Sequence, residues 1–141
     1  MSIKKTILGL ILGLMLGLFS SFSFAQQPSY QLSSHILDVS TGLPAAGVPV
    51  KLEKLDEKSK KWLSIDQKKT DENGRIKDFL ETNKSEKGIY KLTFLIADYF
   101  KQKNTASFYP FIEVVFQISD DKHYHVPITL SPYGYSTYRG N

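Results

Sequence analysis

The chain has 141 residues, of which 41% are hydrophobic and 23% charged, and it contains no cysteine. This length fits one domain, or one domain preceded by a targeting segment, and the composition is that of a globular protein. The lack of cysteine excludes a disulfide framework, a cysteine zinc site and a thiol nucleophile. The 18 basic residues include only two arginines, Arg75 and Arg139, and the chain has three histidines.

Residues 1–25 have the layout of a secretory signal peptide. Two lysines precede an apolar run at residues 7–19, and Ser-Phe-Ala at 23–25 places small residues at the −3 and −1 positions of a cleavage site. The run is shorter than the about 20 apolar residues of a spanning helix. We therefore expect cleavage to release a periplasmic or secreted domain of residues 26–141, without attachment to the membrane. The alternative is an uncleaved N-terminal anchor.

The charge of the chain carries little functional information. The net charge is +4, and removal of residues 1–25 with their two lysines leaves +2. This excess is too small to indicate a nucleic-acid partner or binding to an anionic membrane surface. The lysine-rich segment 51–69 is most simply a solvated hairpin.

The rest of the chain alternates short apolar stretches with turn signals, which is typical of β-strands. Seven strands are predicted, at 32–39, 48–55, 61–66, 89–97, 109–118, 123–130 and 133–139. A tight turn is predicted at 71–74, because Asn-Gly tolerates positive φ, and a short helix at 98–104 with Asp98 as its N-cap. The predicted class is all-β, an antiparallel β-sandwich of seven to eight strands with one short helix.

The predicted strand 123–130, with sequence HYHVPITL, holds two of the three histidines. Strand alternation directs its tyrosine and aliphatic residues to the core, and His123 and His125 to the opposite face, about 7 Å apart. Two imidazoles so placed can transfer protons near neutral pH or bind one Zn²⁺. Ordinary surface histidines are the simpler interpretation of this strand alone.

Three further residues are candidates for a site. His35 lies in the first predicted strand, Arg75 directly follows the Asn-Gly turn, and Arg139 lies near the C-terminus. The planar guanidinium fork suits carbonyl or carboxylate oxygens better than a lysine does. In a chain that uses lysine almost everywhere, the two arginines are therefore candidate oxygen-binding groups. A structural histidine and two solvated arginines are the alternatives.

Four segments together resemble a known family. They are LSSHILD at 32–38 followed by GLPA at 42–45, TDENGR at 70–75, FYPFIEVVF at 108–116 with HYHVPI at 123–128, and LSPYGYSTYRG at 130–140. The chain resembles the transthyretin-like family from about Leu32 to Asn141, and within it the 5-hydroxyisourate hydrolases. The tail is the most specific segment, since the hydrolases end in Tyr-Arg-Gly-Ser, whereas the hormone carriers diverge after Ser-Thr and lack the His-Tyr-His pair.

The resemblance implies a fold, an assembly and a reaction. The fold is an immunoglobulin-like sandwich of two antiparallel sheets with one short helix, assembled as a homotetramer with active sites in the channel between dimers. The reaction is hydrolysis of 5-hydroxyisourate, the product of urate oxidation, to 2-oxo-4-hydroxy-4-carboxy-5-ureidoimidazoline. No cofactor and no metal are expected.

The resemblance also implies the site residues. His35, Arg75 and His125 match the catalytic positions, and Tyr138 and Arg139 match the terminal signature. With no cysteine and no serine in a nucleophile-elbow motif, attack by activated water is favoured over a covalent route. One of His35 and His125 is the expected base, while Arg75 binds substrate oxygens. Tyr138 and Arg139 are expected to close the pocket, with His35 also contacting substrate.

Some points stay open at this stage. Asn141 stands where the hydrolases have serine, which puts a role for a terminal hydroxyl in doubt, although the amide offers both a donor and an acceptor. One alternative function is a transthyretin-like carrier of small ligands without catalysis. Another is a zinc enzyme with His35, His123 and His125 as ligands.

Overall fold

The computed structural model describes residues 29–141, so the predicted signal peptide lies outside the described residues. The nine strands of this part are β1 (Tyr30–Asp38), β2 (Leu43–Pro44), β3 (Pro49–Asp56), β4 (Lys61–Lys69), β5 (Arg75–Glu81), β6 (Gly88–Phe94), β7 (Ile112–Ile118), β8 (Tyr124–Ser131) and β9 (Gly134–Thr137). A 3-10 turn spans Thr82–Lys84 and the α-helix α1 spans Ala97–Gln102. No helix in the described residues has the length and apolar character needed to cross a membrane.

The strands form two sheets. The first has the order β2-β1-β8-β9, with β5 also paired to β1, and the second has the order β4-β3-β6-β7. The predicted β-sandwich with one short helix is confirmed in the described residues, and the lysine-rich segment is the β3–β4 hairpin. One feature differs from the expected antiparallel arrangement, because β1 and β8 pair in parallel.

The hydrophobic core joins residues from both sheets and from α1. Its largest fully buried side chains include Phe79, Tyr90, Phe94 and Phe100. Burial of one such large apolar side chain contributes about 1.5–3 kcal/mol. In β8 Tyr124, Val126, Ile128 and Leu130 are buried as predicted, but the alternation is incomplete, because Pro127 is buried as well.

The sequence did not predict β5. Its burial pattern does not alternate, because Phe79 and Leu80 are neighbours and both are buried. Leu80 has φ +50, and the register of β5 against β1 shifts between Leu32 and Ser34. Such an irregularity breaks the period of two from which strands are recognised.

The predicted N-cap of the helix was wrong. The N-cap residue of α1 is Ile96, with no hydrogen bond from a capping side chain, and Asp98 lies within the first turn. A carboxylate in that turn still favours the helix through its dipole. The predicted long strand at 109–118 is also shorter, since β7 begins only at Ile112, after Pro110.

Candidate active site

Two of the predicted site residues lie directly opposite each other in the first sheet. His35 of β1 and Arg75 of β5 are paired across the antiparallel ladder. Neighbours that face each other in this way project their side chains from the same face of the sheet. His35 is half-buried and Arg75 is exposed, so both lie on the face that does not enter the core.

The predicted turn at 71–74 fixes the start of β5. The Asp71 carboxylate accepts hydrogen bonds from the backbone N–H of Asn73 at 2.9 Å and of Arg75 at 2.8 Å. Gly74 adopts φ +70, and a Cβ atom there would lie 2.6 Å from the carbonyl oxygen of Ile36. Only glycine fits both the conformation and this close approach. The turn therefore delivers Arg75 to the strand beside His35.

The other two histidines, His123 and His125, contact β1 at Ser33, two residues before His35. Ser33 of β1 pairs with His125 of β8 in the parallel ladder. The Ser33 hydroxyl lies 2.8 Å from Nδ1 of His125 and 2.8 Å from Nε2 of His123. Nδ1 of His123 lies 3.1 Å from the carbonyl oxygen of Tyr30. Both imidazoles are thus held by hydrogen bonds to β1.

The electrostatics of the face favour neutral imidazoles. Burial, followed by the charge of Arg75, lowers the pKa of His35, while a backbone hydrogen bond with Asn73 and the charge of Asp71 act in the opposite direction. Burial and then the charge of Arg75 also lower the pKa of His125. His35 and His123 lower this pKa further by smaller amounts, whereas a backbone hydrogen bond with Ser33 raises it. Neutral imidazoles next to a fixed cation can accept a proton from water while the cation binds a developing negative charge.

The C-terminal signature enters this site through its glycine. The N–H of Gly140 donates to the carbonyl oxygen of His125 at 2.9 Å, and the two residues form an isolated antiparallel bridge. The Arg139 guanidinium instead lies 4.6 Å from the centre of the Tyr124 ring, and Tyr138 is 60% exposed. The closing of a pocket by Tyr138 and Arg139 stays a prediction.

The structure adds two residues that sequence reasoning did not assign. Ser33 bridges two histidines, and His123, which the sequence left without a role, is the partner of that bridge. Only the position of Ser33 two residues before His35, on the same face of β1, hinted at this arrangement. The cross-strand register that brings Ser33 to β8 cannot be read from local pattern.

The histidines do not form a metal centre in the described residues. Within 29–141, no group of three or more His, Cys, Asp or Glu side chains is arranged to hold a metal ion. The ligand set that the zinc alternative requires, His35 with His123 and His125, is therefore not assembled in this part of the chain.

Comparisons with known proteins agree with this fold. A family model described as the HIUase/Transthyretin family matches residues 32–140. The 5-hydroxyisourate hydrolase of Salmonella dublin is 46% identical over 111 residues, which cover 78% of this chain and 80% of that protein.

Two solved structures are similar to the chain. The 5-hydroxyisourate hydrolase of Klebsiella pneumoniae has a TM-score of 0.68 and 35% identity, and covers 78% of this chain and 98% of its own. Sea bream transthyretin in complex with thyroxine has a TM-score of 0.74 and 28% identity, and covers 78% of this chain and 94% of its own. The chain belongs to the HIUase/Transthyretin family, as the four sequence segments predicted.

Proposed function

We propose that the protein hydrolyses 5-hydroxyisourate to 2-oxo-4-hydroxy-4-carboxy-5-ureidoimidazoline in urate breakdown. The observation that carries this proposal is the grouping of His35, Arg75 and His125 on one sheet face, with burial and Arg75 lowering the pKa of both imidazoles. The relatives named for this reaction support the choice of substrate.

The residues suit opening of a cyclic amide by water. One neutral imidazole takes a proton from water as the oxygen attacks the ring carbonyl carbon. Arg75 binds the carbonyl oxygen while negative charge develops on it, and the C–N bond then breaks. The proton taken by the first imidazole is then returned to the leaving nitrogen, directly or through the second imidazole, which otherwise orients the water. No step needs a cofactor.

A homotetramer with its sites between dimers completes the proposal. In one chain the face with Arg75 is open, whereas ring hydrolysis by a positioned water benefits from an enclosed site. Large apolar side chains are also exposed, among them Phe108 and Val115 at 70% and 57%. Sedimentation equilibrium of the processed protein is expected to give the mass of four chains. An active monomer would contradict the assembly and leave the reaction standing.

The decisive experiment uses freshly generated substrate. The processed protein, residues 26–141, is added to 5-hydroxyisourate and its ultraviolet absorbance is followed against the spontaneous decay. We expect acceleration by the wild-type protein, and much less by His125→Ala at the same concentration. Decay no faster than the spontaneous rate with wild-type protein would overturn the function.

A carrier without catalysis is the competing function. The similarity to a transthyretin solved with thyroxine supports it. The same assay separates the two functions, because a carrier would retain the substrate or an analogue in equilibrium dialysis without turning it over.

We also propose export to the periplasm or to the outside of the cell, on the basis of the signal-peptide pattern at residues 1–25. N-terminal sequencing of protein recovered from the exported fraction is expected to start at Gln26. Protein found only inside the cell with residues 1–25 attached would contradict this.

A further inference from the structure

We propose that His123 and Ser33 form a hydrogen-bonded relay that fixes the tautomer of His125 and leaves Nε2 of His125 as the proton acceptor of the reaction. This inference rests on the proposed hydrolysis. His123 and Ser33 are positioning residues in it, since they act on the reaction only through His125.

The relay starts at a group whose hydrogen-bonding role is fixed. Nδ1 of His123 lies 3.1 Å from the carbonyl oxygen of Tyr30, and a carbonyl oxygen only accepts. Nδ1 of His123 must therefore carry the hydrogen. In a neutral imidazole the other nitrogen, Nε2, then has a lone pair and accepts.

The Ser33 hydroxyl, which contacts both rings, determines in turn which nitrogen of His125 carries the hydrogen. Its oxygen lies 2.8 Å from Nε2 of His123, so its single O–H donates to that lone pair. The same oxygen lies 2.8 Å from Nδ1 of His125 and has lone pairs but no second hydrogen to offer. Nδ1 of His125 must therefore donate, and it carries the hydrogen.

The consequence for His125 is a free, unprotonated Nε2. Among residues 29–141, no hydrogen bond reaches this atom, whereas Nδ1 is occupied by Ser33. The neighbouring ring atom Cδ2 faces Gly140, whose missing side chain leaves room for it. The ring is thus held on its Nδ1 side by Ser33 and on its Cδ2 side by the C-terminal segment. Its Nε2 is the atom that can remove a proton from water.

This arrangement assigns different roles to His35 and His125, whereas the sequence did not indicate which of the two is the base. A base needs a lone pair at the atom that faces water, and a tautomer with hydrogen on Nε2 would have none there. The relay supplies that lone pair on His125. His35, which has no part in the relay, is left to orient the water or to pass the proton from His125 to the leaving nitrogen.

The tautomer is read directly by NMR of the ¹⁵N-labelled processed protein. Long-range ¹H–¹⁵N correlations of the imidazole rings, recorded above the titration range of the histidines, distinguish hydrogen on Nδ1 from hydrogen on Nε2. We expect His123 and His125 both to carry hydrogen on Nδ1. Hydrogen on Nε2 of His125 in the wild-type protein would overturn the relay.

Variants of Ser33 connect the tautomer to turnover. Ser33→Ala removes the bridge, so we expect His125 to lose its pure Nδ1–H tautomer and kcat to fall about 10- to 100-fold, with KM changed much less; this is less than the whole contribution of a general base, about 10²- to 10⁴-fold. Ser33→Thr retains a hydroxyl and is expected to restore both the tautomer and kcat. A Ser33→Ala protein with wild-type kcat would overturn the relay.

Ser34→Ala is the matched control. The Ser34 hydroxyl also links β1 to β8, by donating to the carbonyl oxygen of Val126 at 2.8 Å, but on the buried face. Its loss is expected to lower stability and to leave the His125 tautomer unchanged. A tautomer shift in Ser34→Ala equal to that in Ser33→Ala would show that general loosening, and no relay, controls the ring.

The NMR measurement of the tautomer tests the relay, and the assay of substrate decay tests the hydrolase, so either proposal can be refuted while the other stands. An active wild-type protein with hydrogen on Nε2 of His125 would refute the relay and keep the hydrolase. An inactive wild-type protein with hydrogen on Nδ1 would refute the hydrolase and keep the hydrogen-bonded relay as a structural fact.

Discussion

The backbone of Gly140 lies against the imidazole of His125. A Cβ atom added to Gly140 would lie 2.4 Å from Cδ2 and 3.1 Å from Cγ of the ring, and the N–H of Gly140 donates to the carbonyl oxygen of His125. The glycine of the Tyr-Arg-Gly signature therefore has a physical reason to lack a side chain. Its backbone packs directly against the ring of His125, the histidine that we assign as the base.

Substitution of this glycine is expected to damage the site more than the fold. Gly140→Ala must push the ring of His125 away, and a displacement of about 1 Å of a catalytic group lowers the rate about 10²-fold. Steady-state kinetics of substrate decay measure the effect. Gly134→Ala is the control, because its Cβ would meet only Ser131 Oγ at 3.6 Å, an ordinary contact. Equal activity of both variants would contradict the role of Gly140.

The fork of Arg75 is expected to matter beyond its charge. Arg75→Lys retains a cation but loses the planar pair of donors, so we expect a clear fall in kcat/KM. Arg75→Ala is expected to lose about 10²- to 10³-fold, as when one donor to a developing oxyanion is removed. Lys77→Ala removes an exposed cation two residues along the same strand and serves as the control. Full activity of Arg75→Lys would show that only the charge is needed.

Activity is expected to persist into mildly acidic solution. Because burial and then Arg75 lower the pKa of both His35 and His125 from the ordinary 6.5, the acid limb of kcat/KM should lie below pH 6.5. Arg75→Ala should raise both pKa values toward 6.5, which an NMR titration of the rings can follow even without turnover. Titration of wild-type His125 above 6.5 would contradict this expectation.

The same shifts give a sign for the pH dependence of stability. The folded state binds fewer protons at these two rings than the unfolded state does. Their contribution to the free energy of unfolding is therefore complete above pH 6.5 and is lost as the pH falls toward the pKa values of the folded protein. Urea denaturation between neutral and mildly acidic pH measures it, and stability that rises as the pH falls through this range would contradict the assignment.

A buried carboxylate at the end of β1 is expected to control stability without affecting turnover. Asp38 is fully buried and accepts hydrogen bonds from Tyr99 of α1 at 2.8 Å and from the backbone N–H of Ser40 at 3.0 Å. Burial raises the pKa of Asp38, but the hydrogen bonds from Ser40 and Tyr99 outweigh it and hold the pKa below the ordinary 3.8.

Tyr99→Phe tests this contact. The variant leaves the carboxylate with one partner fewer, and we expect a loss of about 1–3 kcal/mol in the free energy of unfolding. Turnover at a temperature where the variant is folded should equal that of the wild type. Tyr133→Phe, at a 71% exposed position, is the matched control and should be neutral. A neutral Tyr99→Phe would show that water replaces the hydroxyl.

The parts of the site that local pattern determines were predicted from the sequence. Strand alternation placed His125 opposite the core face of β8, and the Asn-Gly turn marked the position of Arg75. Recognition of the family then assigned His35 to the same site. Each of these inferences depends on neighbours within a few residues or on a whole motif.

The parts that depend on pairing between distant strands were not predicted. Nothing local indicates that β1 accepts β8 in parallel, so the contact of Ser33 with His123 and His125 could not be derived. The irregular burial around Phe79 and Leu80 likewise hid β5, although this strand carries Arg75. The closing of the pocket by Tyr138 and Arg139 stays a prediction.

The parallel pairing of β1 with β8 also bears on how the chain reaches this structure. Ser33 and His125 are 92 residues apart, and the entropy of closing so long a loop must be overcome before their contacts form. Until the last segment of the chain is available, one edge of β1 is without its partner and is open to pairing with other chains. The relay can therefore form only after the segment that carries His125 is available, and a chain that stops before Tyr124 would present an aggregation-prone edge at the position of the proposed site.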